Sequence, residues 1–308
     1  MGIGTVIAGL AVAGVGLWPF AAEWRRPKPN WDDAPGELVQ LSQGVTHYRW
    51  IGPVRGPVVV CVHGLTTPSD AWLSLAEGLG AAGYRVLIYD LYGRGHSSAP
   101  GGRQDRAFFL RQLSDLLEDQ GLTEDLTILG YSMGGAIATA FAAENPHRMK
   151  RLVLVASAGV EVVRDQLTQF AIKTPVIGDW LHHGIGMARF RRQLAATRDA
   201  RTEVPGIADI QIAQLDRRGF RPAVLSSMRG MVTERQEADH RTLGREGVPV
   251  VAVWGKDDDV IPIKALGTLA QWNRATRQEV IEGAGHGLPY THGAEVAALL
   301  RGILREAD

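Results

Sequence analysis

The sequence predicts an α/β protein built on a mostly parallel central sheet with helices on both faces. Three observations predict it. Short β-branched runs alternate with longer segments of helical period. The runs are apolar throughout, as in Val58-Val59-Val60-Cys61-Val62, which suits strands covered on both faces. One run, Leu126-Thr127-Ile128-Leu129, passes into a helix-like segment through Gly130-Tyr131-Ser132-Met133-Gly134-Gly135.

Taken in order, residues 1–24 open the chain with no charge between Gly2 and Ala22. About twenty helical residues span the roughly 30 Å of a bilayer core, so this stretch is expected to be a membrane-anchor helix. Arg25, Arg26 and Lys28 follow it directly. By the positive-inside rule the rest of the chain is then expected on the cytoplasmic side. Residues 25–36 carry Pro27, Pro29 and Pro35 and are expected to be an extended linker. The first part of the sheet, residues 37–156, follows with strands expected over 45–51, 58–62, 85–89, 126–130 and 151–155. Helices are expected over 70–82, 105–120 and 133–145 between them. From 157 to 244 the alternation stops and the apolar groups, such as Leu167, Phe170, Trp180 and Met187, recur at helical spacing. This segment is expected to form a helical cap above the strand ends, with one face on the sheet and some residues facing a pocket. Residues 245–308 return to strand and helix and complete the sheet.

Composition narrows the function classes. The chain has 308 residues, 45% hydrophobic and 21% charged, with a net charge of zero, which argues against nucleic acid as a partner. Its single cysteine, Cys61, lies inside an apolar strand and excludes an intrachain disulfide or a cysteine-based zinc site. His182 and His183 are adjacent, look like surface or helix residues, and have no carboxylate at ligand spacing, so neither a metal nor another cofactor is expected.

The glycine-flanked Ser132 at a strand-to-helix turn has the form of a nucleophile elbow. A serine hydroxyl needs a base, an orienting carboxylate and an oxyanion hole. His286, in the loop Gly283-Ala284-Gly285-His286-Gly287 after a strand-like run, is the expected base. One of Asp257, Asp258 and Asp259, after the strand 250–255, is the expected carboxylate. The backbone N–H groups of Met133, next to the nucleophile, and of Leu65, in the loop His63-Gly64-Leu65-Thr66-Thr67, are the expected oxyanion donors.

From about Val45 to Leu304 the chain resembles the α/β-hydrolase superfamily. The resemblance is carried by His63-Gly64, Asp90-Leu91-Tyr92-Gly93-Arg94-Gly95-His96-Ser97, Gly130 to Gly135, Gly255-Lys256-Asp257-Asp258-Asp259-Val260-Ile261-Pro262 and Gly285-His286. It implies Asp258, the third residue after Gly255, as the acid, and an architectural role for the Asp90 to Ser97 segment. The serine-methionine-glycine-glycine elbow and the N-terminal apolar segment look like the monoacylglycerol-lipase-like esterases. The expected activity is therefore hydrolysis of carboxylic esters, with an acyl lipid such as a monoacylglycerol or lysophospholipid as the substrate. A C–C bond hydrolase, a cofactor-free haloperoxidase and a non-catalytic binder of the same fold are the alternatives.

Overall fold

The computed structural model describes residues 16–162 and 164–305. Eight strands form one sheet in the order β1-β2-β4-β3-β5-β6-β7-β8. They are β1 Glu37–Gln40, β2 Val45–Ile51, β3 Val58–Val62, β4 Arg85–Tyr89, β5 Leu126–Tyr131, β6 Met149–Val155, β7 Val250–Gly255 and β8 Arg277–Ile281. β2 pairs antiparallel with both β1 and β4, and every pairing from β4 through β3 to β8 is parallel. The predicted fold class holds. β1 was not foreseen, because its Glu-Leu-Val-Gln sequence is short and sits mostly exposed at the sheet edge.

The period of two along each strand sorts side chains into two cores. Val60 and Val62 of β3 face one core with Phe109, Leu113, Ile137 and Phe141. These come from α2, Arg106–Asp119, and α3, Met133–Glu144. Val59 and Cys61 face the other core with Leu75, Leu79, Val296 and Leu300. Those come from α1, Leu73–Ala81, and α12, Gly293–Arg305. Each fully buried aliphatic side chain contributes about 1.5–3 kcal/mol, so the uninterrupted apolar strands are where the fold draws its stability. Asp105, expected as the first residue of α2, is its N-cap and accepts the Phe108 N–H at 3.2 Å.

Between β6 and β7 the described residues form six α-helices: α4 Gln166–Lys173, α5 Ile177–Leu181, α6 Met187–Ala196, α7 Ile207–Gln214, α8 Phe220–Arg229 and α9 Glu237–Arg245. A π-helical turn, His182–Gly186, joins α5 to α6. Its two histidines, expected on a helix or at the surface, lie in this helical turn and are buried: His182 Nε2, which must carry the ring hydrogen to donate, bonds the Arg221 carbonyl at 3.0 Å, and Arg221 in turn bonds the His183 carbonyl at 2.6 Å. After β7 come α10 Lys264–Trp272 and, beyond β8, the one-turn α11 Leu288–Thr291.

Residues 1–15 of the expected anchor lie outside the described residues. Residues 16–24 are helical, and no helix among the described residues is long and apolar enough to cross a membrane. The segment expected as a linker lies against the body: Arg26 bonds Asp216 at 3.2 Å, the Arg218 N–H bonds the Pro27 carbonyl, and Trp31 Nε1 bonds the His96 carbonyl.

Candidate active site

β3, β5, β7 and β8 all end on the same edge of the sheet, so the loops that follow them meet there. Ser132 stands at the turn from β5 into α3 with φ 52° and ψ −119°, a conformation that costs a non-glycine residue about 1–3 kcal/mol. The surroundings hold it: its N–H bonds the Val155 carbonyl at 3.0 Å, and its carbonyl accepts from Gly135 and Ala158. The flanking glycines are required by contact. A Cβ on Gly130 would strike the Gly134 carbonyl, and one on Gly134 would strike the Val62 carbonyl. α3 therefore approaches β3 and β5 closely, and the serine side chain stands clear of both.

His286, in the loop between β8 and α11, reaches the turn. Its Nε2 lies 3.0 Å from Ser132 Oγ and its Nδ1 lies 2.9 Å from Asp258 Oδ2. An ionised carboxylate only accepts, so Nδ1 carries the ring proton and Nε2 is left to accept from the serine hydroxyl. The second Asp258 oxygen accepts the N–H groups of Val260 and Ile261 at 2.8 and 2.7 Å. This separates Asp258 from its neighbours: it is buried, while Asp257 and Asp259 are exposed. Tyr131 packs its ring 5.3 Å from that of His286 and limits the imidazole on one side.

Met133 is the first residue of α3, so its N–H has no acceptor within the helix. Leu65 follows Gly64, where a Cβ would lie 3.2 Å from Ser132 Cβ. Two groups fix this loop. His63 is fully buried, bonds the Gly64 carbonyl through Nδ1 at 2.8 Å and accepts the Leu91 N–H on Nε2 at 2.9 Å. Burial pushes its pKa down to about 4, so it is neutral at pH 7. Arg94, also fully buried, bonds the Leu65 carbonyl through Nε at 3.0 Å. Its other nitrogens bond the Tyr92 carbonyl, Gln104 and, on α8, Ser227. Sequence reading gave the Asp90 to Ser97 segment an architectural role through the resemblance but did not single out Arg94, whose own signal is a charge between two glycines, Gly93 and Gly95.

A second histidine–aspartate pair lies in the same loop system. His47 Nδ1 is 2.7 Å from Asp90 Oδ2, and both side chains are buried. Burial alone would raise the Asp90 pKa, but the hydrogen bond from His47 and the Ser69 N–H hold it well below the usual range. Asp90 also accepts the His96 N–H, so His96 serves this scaffold through its backbone.

Three cavities converge on Leu65. One of about 420 Å³ contains Ser132, His286, Gln211 and Tyr290. One of about 180 Å³ contains Ser132, Met133, Met228 and Ile261. A third, of about 160 Å³, lies among the inserted helices and is lined by Leu167, Ala171, Leu181, Met187, Phe190 and Val224. Gln211, which bonds Thr67, had no signal in the sequence.

Comparison with known proteins agrees with the fold. A family profile for the alpha/beta hydrolase fold matches residues 57–175. A 2-hydroxymuconate semialdehyde hydrolase of Pseudomonas putida is 30% identical over 236 residues, 73% of this chain and 78% of that protein. The chain belongs to the α/β-hydrolase family. This α/β hydrolase is also 26% identical to Lipase 1 of Psychrobacter immobilis, over 78% of the chain and 74% of the lipase. Among solved structures, a membrane phospholipase A described as a bacterial virulence factor superposes with a TM-score of 0.72 at 19% identity. The match covers 98% of this chain and 96% of that one and is a likeness of fold.

Proposed function

We propose that this hydrolase cleaves carboxylic esters with an apolar acyl group through an acyl-enzyme on Ser132. The observation that carries the reading is the line Ser132–His286–Asp258 at the junction of two cavities with largely apolar walls. In this reading Ser132 Oγ attacks the ester carbonyl carbon while His286 Nε2 takes the hydroxyl proton, and Asp258 steadies the imidazolium. Charge on the carbonyl oxygen falls between the N–H groups of Leu65 and Met133, each such donor being worth about 3 kcal/mol in the transition state. His286 returns the proton to the leaving alcohol, and water repeats the sequence on the acyl-enzyme. We read residues 157–244 as the cap that shapes the acyl site. We read residues 1–24 as the part that keeps the enzyme at a membrane on the cytoplasmic side, within reach of monoacylglycerols or lysophospholipids.

A C–C bond hydrolase is the second reading. It is favoured by the Pseudomonas relative and by Arg164, a cation lining the cavity that holds Ser132 and Met133. A substrate panel separates the two. Medium-chain p-nitrophenyl and glyceryl esters should turn over at least roughly tenfold faster than acetyl esters, with Ser132→Ala losing both turnover and fluorophosphonate labelling. Rates that are highest for acetyl and fall with chain length, or turnover of 2-hydroxymuconate semialdehyde but of no ester, would overturn the proposal.

A further inference from the structure

The outer face of the insertion carries apolar side chains that nothing among the described residues covers. Phe170 on α4, Val176 and Ile177 at the start of α5, and Ile185 in the π-helical turn are 46%, 72%, 59% and 48% exposed. The helical residues 16–24 dock beside them. Phe20 packs edge-on to His183 at 5.8 Å, Glu23 accepts the Gly219 N–H at 2.7 Å, and Arg218 lies 3.8 Å over the Trp24 ring. While this helix buries Glu23, it leaves Leu17, Trp18 and Trp24 at 65%, 63% and 72% exposure. Two separate parts of the chain thus turn large apolar side chains outward from one junction. Scattered exposed apolar residues need no explanation, but a set of this kind does.

Charge and connectivity select the occupant. Residues 164–229 contain eleven Lys and Arg against six Asp and Glu, a net +5 in a chain whose total is zero. Lys173, Arg189 and Arg192 are exposed on α4 and α6, and Arg25 and Lys28 are exposed just after the N-terminal helix. The uncharged residues 2–15 join the described chain at Gly16, on this same helix. Apolar side chains with interfacial tryptophans, a basic surround and an uncharged leader are what an anionic bilayer surface binds.

We infer that the junction of the N-terminal helix with α4, α5 and the π-helical turn is a docking surface for an anionic phospholipid bilayer, so that the insertion itself lies on the membrane. The inference does not rest on the ester reading. Of the same elements, α4 and α5 supply Leu167, Ala171 and Leu181 to the cavity behind this face, which places that cavity next to the lipid.

The single buried Cys61 makes a direct test available, because a cysteine introduced at the surface can be labelled alone. Full-length protein carrying an environment-sensitive fluorophore on Ile177→Cys or Ile185→Cys is mixed with phosphatidylglycerol vesicles, with phosphatidylcholine vesicles as the comparison. The reference site is Val54→Cys, 86% exposed in the loop before β3, at the opposite end of the sheet. Expected are a blue shift and several-fold protection from iodide quenching at 177 and 185 but not at 54, stronger with the anionic lipid. The pair V176D/I177D, at two side chains that line none of the three cavities, should lower vesicle partition roughly tenfold while turnover of a soluble ester is unchanged. Vesicle flotation with the 177 probe still as quenchable as the 54 probe would assign membrane binding to residues 1–15 alone and overturn the proposal. So would absence of flotation, or a blue shift that needs only higher protein concentration, which would make the face a contact between two copies.

Discussion

At the scale of single residues, the site is decided by which groups are left without alternatives. Asp258 has one oxygen committed to two backbone N–H groups and the other to His286, whereas its two neighbours face water. Asp258→Asn should therefore leave the loop in place but present an amide to Nδ1, favouring the wrong tautomer. A loss of about 10⁴-fold in kcat is expected, against less than about twofold for Asp257→Asn or Asp259→Asn. Equal losses at all three positions would contradict the assignment. Ser132, its flanking glycines and His286 were legible in the sequence because steric demand leaves a pattern of small residues around a reactive one. Choosing among the three aspartates needed the family spacing, since composition treats them alike. Arg94 was not legible, because its partners, the carbonyls of Leu65 and Tyr92 and the side chains of Gln104 and Ser227, come from segments that only the fold brings together.

At the scale of elements, the turn from β5 into α3 depends on close approach of backbones. Gly134→Ala would push a methyl group into the Val62 carbonyl, so β3 and α3 must separate. A destabilisation of about 2–4 kcal/mol is expected, seen as a lower urea midpoint, and Gly101→Ala, which has open space around it, should change little. A midpoint shift equal at the two sites would mean that the turn relaxes freely. The central strands and their flanking helices were legible because burial on both faces forces an apolar run. β1 and the one-turn α11 were not, since an edge strand and a single helical turn bury too little to impose a period. The π-helical turn was hidden for another reason: one widened turn leaves no period of its own in the sequence, and the bonds that accompany it, between His182 and Arg221 and between Arg221 and His183, join segments far apart in the chain.

For the molecule as a whole, acid sensitivity follows from buried neutral histidines. Burial first, helped at His182 by His183 and at His183 by Arg221, pushes the pKa of His63, His182, His183 and His240 down to about 4. Each would titrate near 6.5 in the unfolded chain, so between about pH 6.5 and 4 the unfolded state binds more protons. Their stabilising contribution is complete above pH 6.5 and is lost as pH falls toward 4. Unfolding near pH 5 should take up about three to four protons from this group, read from the pH dependence of urea unfolding. Stability that stays flat from pH 7 to 5 would exclude it.

The connections of Arg94 have a mechanical consequence. By bonding Ser227 on α8 and the Leu65 carbonyl together, it clamps the C-terminal half of the insertion to the sheet, and the bond from Gln211 to Thr67 does the same for α7. Residues 166–196 are tied to other parts of the insertion, as in Arg229 to Asp179 and Arg191 to Asp216. The insertion is thus a fixed bracket carrying a suspended panel. Amide exchange should be fastest in the panel, residues 166–196, and slower in α7 and α8, and replacing Arg94 or Gln211 should raise exchange in α7 and α8 without altering the outer surface.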